Sequence, residues 1–225
     1  MPEVATKSGS PETPVPATAN GKVVLFGNRR SGLTKAVRLA LHEKSTDYDL
    51  IYLESADIAS GALDGVNPYR MTPTLTHGST RIFETAAILF YVATAFDGTA
   101  LISTDPARAA KALSWTLAAA GPIYGDIVTG LVTERLLPPL EGRSCDETKI
   151  ASFTTRTVRH LEIIEVEFAS NPYLAGASPS IADLMLTPIV HYLMQTPERN
   201  LLSAHPRLSD WYARMTTRPS ALHCL

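Results

Sequence analysis

Asn67-Pro-Tyr-Arg-Met-Thr-Pro-Thr-Leu-Thr-His-Gly-Ser-Thr-Arg-Ile-Phe-Glu-Thr85 is the stretch on which the reading of the fold turns. Two prolines and a glycine frame two short β-prone runs, Pro73 to Thr76 and Arg81 to Phe83. These flank His77-Gly78-Ser79-Thr80 and so pair as a hairpin. Glu84-Thr85 stands where the second run gives way to a helix that continues to Phe96. Thr72-Pro73 offers an X-Pro bond, the kind of peptide for which the cis form is accessible. Such a layout presents backbone and side-chain hydrogen bonds to something small and polar.

Upstream, Lys22 to Phe26 is a β-branched, apolar run ending at Gly27 and reads as a buried first strand. Leu33, Ala36, Val37, Ala40 and Leu41 then recur at i, i+3, i+4, i+7 and i+8, which gives a helix one apolar face. Lys35, Arg38, His42 and Lys44 lie largely off that face. Tyr48 to Leu53 suits a second strand, and Glu54 to Val66 holds a short helix. The order is βαβαββα. Parallel strands need a crossover, and the hairpin with its helix completes a four-stranded α/β unit of thioredoxin-like arrangement over residues 22–97.

Residues 98–105 form a linker, after which Asp105 caps and Pro106 occupies the first turn of a new helix. Residues 106–225 read as an all-helical bundle. A long helix runs from Ala107 to about Leu137, kinked at Gly121-Pro122 and ended by Pro138-Pro139. Asp146 to Ser170 is the next helix. Ser180 three residues before Asp183 forms a capping box at the head of an apolar helix to about Gln195, and Pro206 to Thr216 closes the bundle.

The 225 residues are 45% hydrophobic, enough for real cores. With 20 basic and 22 acidic residues the net charge is −2, which lacks the basic surplus a nucleic acid requires. Cys145 and Cys224 stand far apart without a CxxC or a Cys/His cluster. That argues against a disulfide framework, a metal site or a dithiol centre, and for a reducing, cytoplasmic setting. The longest apolar run, Ala86 to Phe96, is shorter than the ~20 residues that span a bilayer, so no membrane is expected. Residues 1–21 are rich in Pro, Thr, Ser and Ala, lack the apolar core of a signal peptide, and read as a disordered tail.

Taken together, five pieces of sequence resemble a cytosolic glutathione transferase, most closely the phi class of plants and fungi. They are Lys22-Val-Val-Leu-Phe-Gly27 followed by Ser31; Leu39-Ala-Leu-His-Glu-Lys44; Asn67-Pro68 with Thr72-Pro73; Phe83-Glu84-Thr85-Ala-Ala-Ile88; and Leu174-Ala-Gly176 with Ser180-Ile-Ala-Asp183. The ending His205-Pro-Arg-Leu-Ser-Asp-Trp211 with Arg218-Pro219 looks like the family's C-terminal helix.

The resemblance implies reduced glutathione as co-substrate or cofactor, a hydrophobic small molecule as second substrate, and a homodimer. It assigns Ser31 as the catalytic hydroxyl that donates to the glutathione sulfur, because the thiolate is the nucleophile and a helix N-terminus favours the anion. Arg29 and Arg30 add positive potential nearby. Thr72, before a cis-proline, offers backbone groups to the cysteinyl part, with Met71 beside it. Glu84 and Thr85 hold the γ-glutamyl end. Met71 replaces the Gln or Lys common in the class, and Ala56 to Val66 contains no His or Lys for the glycine carboxylate. The second substrate is expected against the kinked helix, at Trp115, Pro122, Tyr124 and Met194, with Ser114 and Tyr124 supplying polar contacts. Asp183 is assigned to the helix cap and folding. Within the resemblance, glutathione S-transfer to an electrophile stands beside a glutathione-dependent cis/trans isomerase of a biosynthetic pathway. A non-catalytic binding module, like the transferase-like domain of elongation factor gamma subunits, is the reading from another class.

Overall fold

The computed structural model describes residues 21–225; the expected tail lies outside them up to residue 20. Four strands, β1 (Val23–Gly27), β2 (Asp49–Tyr52), β3 (Thr74–His77) and β4 (Thr80–Phe83), form one mixed sheet in the order β2-β1-β3-β4. β1 is parallel to β2, with Leu25 beside Leu50, and antiparallel to β3, with Leu25 beside Leu75. All five residues of β1 are buried, as its central position requires. The hairpin is tighter than the sequence suggests. His77 pairs with Thr80, so the turn is Gly78-Ser79 alone, with Gly78 at φ +58 in the conformation a two-residue hairpin turn uses.

Within the sheet-bearing unit, which gathers the described residues up to Arg29 with Tyr48–Phe83, lies a cluster of Val24, Phe26, Leu53, Leu63 and Val66. Ile58 and Ala62 pack against it from around the short helix α2 (Ser55–Ala59). Glu54 and Asp57 cap that helix reciprocally, the Glu54 N–H donating to Asp57 Oδ2 at 2.8 Å.

The second unit gathers Arg30–Asp47 and Glu84–Leu225. It contains α1 (Gly32–Glu43), α3 (Thr85–Ala95), α4 (Pro106–Ala118), α5 (Thr133–Leu140), α6 (Glu147–Glu167), α7 (Ile181–Leu193), α8 (Pro206–Thr216) and α9 (Pro219–Cys224). A 3-10 turn over Pro197–Ala204 and α9 itself are elements the sequence reading lacks. α7 is the centre of this unit, buried continuously from Ile181 to Val190. Asp105 caps α4 as expected, its carboxylate accepting from Arg108 N–H at 2.9 Å with Pro106 in the first turn.

The long helix departs from expectation in two ways. Gly121-Pro122 is no simple kink: Ala119–Ile123 and Gly125–Val132 wind as π-helix. Pro122 lacks an N–H and its ring crowds the carbonyl four residues back, and a wider turn relieves that crowding. The Thr133 hydroxyl donates to the Val128 carbonyl at 2.9 Å, five residues back, and closes the wide run. Gly130 fixes it from the other side. A Cβ there would stand 2.3 Å from the Phe153 ring of α6, so that ring rests on the glycine backbone.

Pro138-Pro139 does not end the helix either; α5 continues to Leu140. In a last turn the prolines forfeit only their own two N–H groups. The end is then sealed by Arg143 N–H donating to the Pro138 carbonyl at 2.8 Å and by Glu141 and Gly142 N–H groups donating to the last carbonyls. Among the described residues no helix is long and apolar enough to cross a membrane.

Candidate functional site

Ser31 is the N-cap of α1, with extended backbone (φ −83, ψ 120) and its side-chain oxygen accepting the Thr34 N–H at 3.2 Å. The first turn of α1 carries no acidic residue, so the positive end of this 12-residue helix is not neutralised from within. Gly32 follows, and two tyrosines lie over it. A Cβ at Gly32 would stand 3.3 Å from Tyr124 Cε2 and 3.3 Å from Tyr192 Cε2. The Tyr192 hydroxyl donates to the Arg30 carbonyl at 2.7 Å, and burial, helped by the neighbouring Tyr124, pushes that phenol up to about 12. Burial likewise raises Tyr124, whose ring lies beside Gly32.

Lys35, half-buried one turn further along α1, has its pKa lowered by burial and then by Arg38; its ammonium lies 5.3 Å from the Tyr192 ring centroid. That ammonium donates to the Leu225 backbone oxygen at 2.9 Å, so what the start of α1 offers an anion is the Ser31 hydroxyl and the positive end of the helix. Of the two neighbouring arginines, Arg29 lies with its guanidinium 4.1 Å over the Tyr52 ring, in the sheet-bearing unit.

Glu84 and Thr85 stand at the start of α3. Glu84 is the N-cap residue, but its side chain makes no cap hydrogen bond, and its backbone sits at φ +66, ψ 119. That region favours glycine, and a non-glycine residue there costs about 1–3 kcal/mol. The plain reading of Glu84 as a helix cap is thus not what its side chain does: it is exposed, while Thr85 beside it is buried.

In the sheet-bearing unit the Thr72–Pro73 peptide is cis, as expected. What holds the loop is Asn67, to which the sequence reading gave no role. Its buried amide donates to the Met71 carbonyl at 2.9 Å and to Thr74 Oγ1 at 2.8 Å and accepts from the Tyr69 N–H at 2.9 Å. The Thr74 hydroxyl adds a second bond to the Met71 carbonyl at 2.7 Å. Met71 thereby spends its carbonyl on the loop and leaves its side chain 64% exposed. Asn-Pro was the local signal for this brace, since Asn readily bonds backbone nearby in a turn.

The remaining sequence-derived positions lie in the helical unit with different surroundings. Trp115 on α4 is half-buried, Pro122 in the wide turns is exposed, and Met194 is the C-cap of α7. Ser114 spends its hydroxyl on the Ala110 carbonyl of its own helix at 2.9 Å. Tyr124, expected with the hydrophobic positions, has its ring beside Gly32 at the start of α1. Asp183 is fully buried and accepts from Leu174 N–H (3.1 Å), Ser180 N–H (2.8 Å), Ser180 Oγ (2.9 Å) and Trp211 Nε1 (2.9 Å), which is the folding role assigned to it.

Comparison with known proteins places these features in a family. Residues 21–94 match the model of the glutathione S-transferase N-terminal domain, and residues 147–214 that of the glutathione S-transferase C-terminal domain. Glutathione S-transferase F6 of Arabidopsis thaliana is 30% identical over 203 residues, 88% of this chain and 97% of its own; F7 of the same plant is 29% identical with the same coverage. The crystal structure of glutathione transferase F7 from Populus trichocarpa superposes with a TM-score of 0.82 at 29% identity, over 90% of this chain and 97% of that one. A glutathione S-transferase I bound with lactoylglutathione gives 0.83 at 25% identity, over 90% and 98%. The sheet-and-helix N-terminal part, the helical C-terminal part and a relative of 30% identity matched along nearly its whole length agree: this chain belongs to the glutathione S-transferase family, with its likeness to the plant phi class.

Proposed function

We propose that the chain conjugates reduced glutathione to a hydrophobic electrophile. The observation that carries this reading is Ser31: a hydroxyl at an acid-free helix start, accepting one backbone N–H and retaining its own proton to donate. A thiolate there gains a hydrogen bond and the positive end of α1, and the thiol, with an ordinary pKa near ~8.5, ionises more readily. Glu84 pairs with the γ-glutamyl ammonium, Thr85 with the adjoining carboxylate, and Thr72, with Met71 beside it, aligns the cysteinyl backbone. Trp115, Pro122 and Met194 line the electrophile's side. The bound lactoylglutathione of a solved relative supports the choice of ligand.

Calorimetric titration with glutathione, followed by assay with an aryl chloride electrophile, tests it. Binding in the millimolar range or tighter with formation of a thioether is expected. Absence of binding at millimolar glutathione sinks the reading and leaves a binding module for another ligand.

A further inference from the structure

The Tyr192 hydroxyl, near the end of α7, donates at 2.7 Å to the carbonyl of Arg30, the residue just before Ser31 and 162 positions away in sequence. That carbonyl is free to take such a partner. The helical bonds of α1 begin with Lys35 N–H donating to the Ser31 carbonyl at 3.1 Å, so the carbonyl one residue earlier lies outside the helix. Its oxygen and the Ser31 N–H belong to one planar peptide unit, and holding the oxygen fixes the plane from which Ser31 projects at φ −83. A second hold on Ser31 is the Thr34 N–H, a weak one at 3.2 Å from Oγ. α7 is buried continuously from Ile181 to Val190, so the tyrosine reaches Arg30 from a fixed part of the unit. Packing does not account for its oxygen. The ring lies against Gly32, where an added Cβ would stand 3.3 Å from Cε2, and the Lys35 ammonium is 5.3 Å from its centroid; a phenylalanine ring would fill the same place.

We propose that Tyr192 is a positioning residue for the Ser31 hydroxyl: its hydrogen bond fixes the Arg30–Ser31 peptide, and with it the direction in which Ser31 Oγ meets the glutathione sulfur. This rests on the glutathione reading above. Tyr192 acts through Ser31 and transfers no proton. With its phenol pushed up to about 12 by burial, it remains a donor throughout the range in which a thiol ionises. Of the titratable groups beside it, Lys35 donates to the Leu225 backbone oxygen at 2.9 Å, His191 Nδ1 lies 3.1 Å from the Tyr212 hydroxyl, and Tyr124 is raised by burial as Tyr192 is. A donor displaced by about 1 Å loses much of its effect on the reacting atom, which is how a bond outside the site reaches the chemistry.

The test is a pH titration of thiolate absorbance for glutathione bound to the wild-type protein, Tyr192→Phe, Ser31→Ala and the double variant, alongside the pH profile of kcat/KM. Phenylalanine keeps the ring on Gly32 and removes only the hydroxyl. Tyr192→Phe is expected to raise the bound thiol's pKa by about 0.5, roughly threefold less thiolate at a pH below it, with the rise of kcat/KM moving by the same amount. In the Ser31→Ala background the same substitution is expected to change neither quantity, because no hydroxyl is left to aim. Glutathione bound to Tyr192→Phe with a wild-type thiol pKa, whether stability falls or the electrophile's KM rises, overturns the proposal and leaves the glutathione reading standing. An equal shift with and without Ser31 overturns action through that serine. Wild-type protein that binds no glutathione overturns the glutathione reading and this proposal with it.

Discussion

Two serines open helices in the same unit, and they are used differently. Ser180 at the head of α7 is buried, donates to Asp183 Oδ2 at 2.9 Å and accepts the Ala182 N–H at 3.3 Å, so both its roles are consumed inside the fold. Ser31 at the head of α1 accepts from Thr34, is half-buried, and has Thr34 where Ser180 has Asp183. An acid in the third position satisfies the cap and cancels the helix's positive end; its absence leaves both a hydroxyl proton and the positive potential for something else. An N-cap serine alone therefore says little about function. The residue three positions on separates a structural cap from one that can serve an anion.

The largest expected effect lies at the structural end of the pair. Asp183→Ala leaves the Leu174 and Ser180 N–H groups and the Trp211 indole N–H without their acceptor in a fully buried place. The expected cost is about 3–4 kcal/mol, read as a lowered urea midpoint, since each orphaned buried donor costs roughly 1–3 kcal/mol. Glutathione affinity of the molecules that remain folded should be unchanged. A loss of affinity without a loss of stability would place Asp183 in the site and dissolve the contrast.

Exchanging the two serines for alanine sharpens it. Ser31→Ala is expected to lower kcat/KM about a hundredfold, the effect of removing one donor to a developing or resident anion, with a stability loss of about 1 kcal/mol or less. Ser180→Ala should do the reverse: about 1–2 kcal/mol of stability and no change in kcat/KM once the folded fraction is corrected for. Equal activity losses in both variants would mean that the acid at the third position does not distinguish them.

Much of this was legible because it is local. The hairpin, the Asp105-Pro106 helix start and the Ser180–Asp183 box depend on residues within a few positions of each other, and their chemistry shows in the order of side chains. The π turns were not, because Pro122 announces only an interruption. How the chain relieves it is settled by Phe153 seating on Gly130 from another helix. Pro138-Pro139 misled for a related reason: proline stops a helix through the N–H it lacks, and near a C-terminus later residues supply the closure. Tyr124 was placed on the correct helix, whereas its approach to Gly32 was not visible, since it joins segments far apart in sequence. Asn67 was visible as a turn residue, whereas its three bonds to the loop around Met71 were not.

Glu84 extends the comparison to a third helix start, where the cap residue uses its side chain for no cap bond at all and holds a backbone conformation that glycine prefers. On the proposed function, a glutamate held there against about 1–3 kcal/mol of strain serves the ligand and not the helix. Glu84→Gly separates the two terms. Glycine relieves the strain but adds roughly 0.5–1 kcal/mol of backbone entropy to be lost on folding, so stability is expected to stay within about 1 kcal/mol of wild type or to rise. Glutathione binding should weaken about tenfold or more, because a charge-assisted hydrogen bond to the γ-glutamyl ammonium goes with the carboxylate. Glu84→Gln, which keeps the strained backbone and the shape, is expected to weaken binding similarly without the gain in stability. Wild-type affinity in both variants would show that the strained acid serves something other than the tripeptide, and that an unused cap side chain, unlike the spare proton of Ser31, is no guide to a ligand contact.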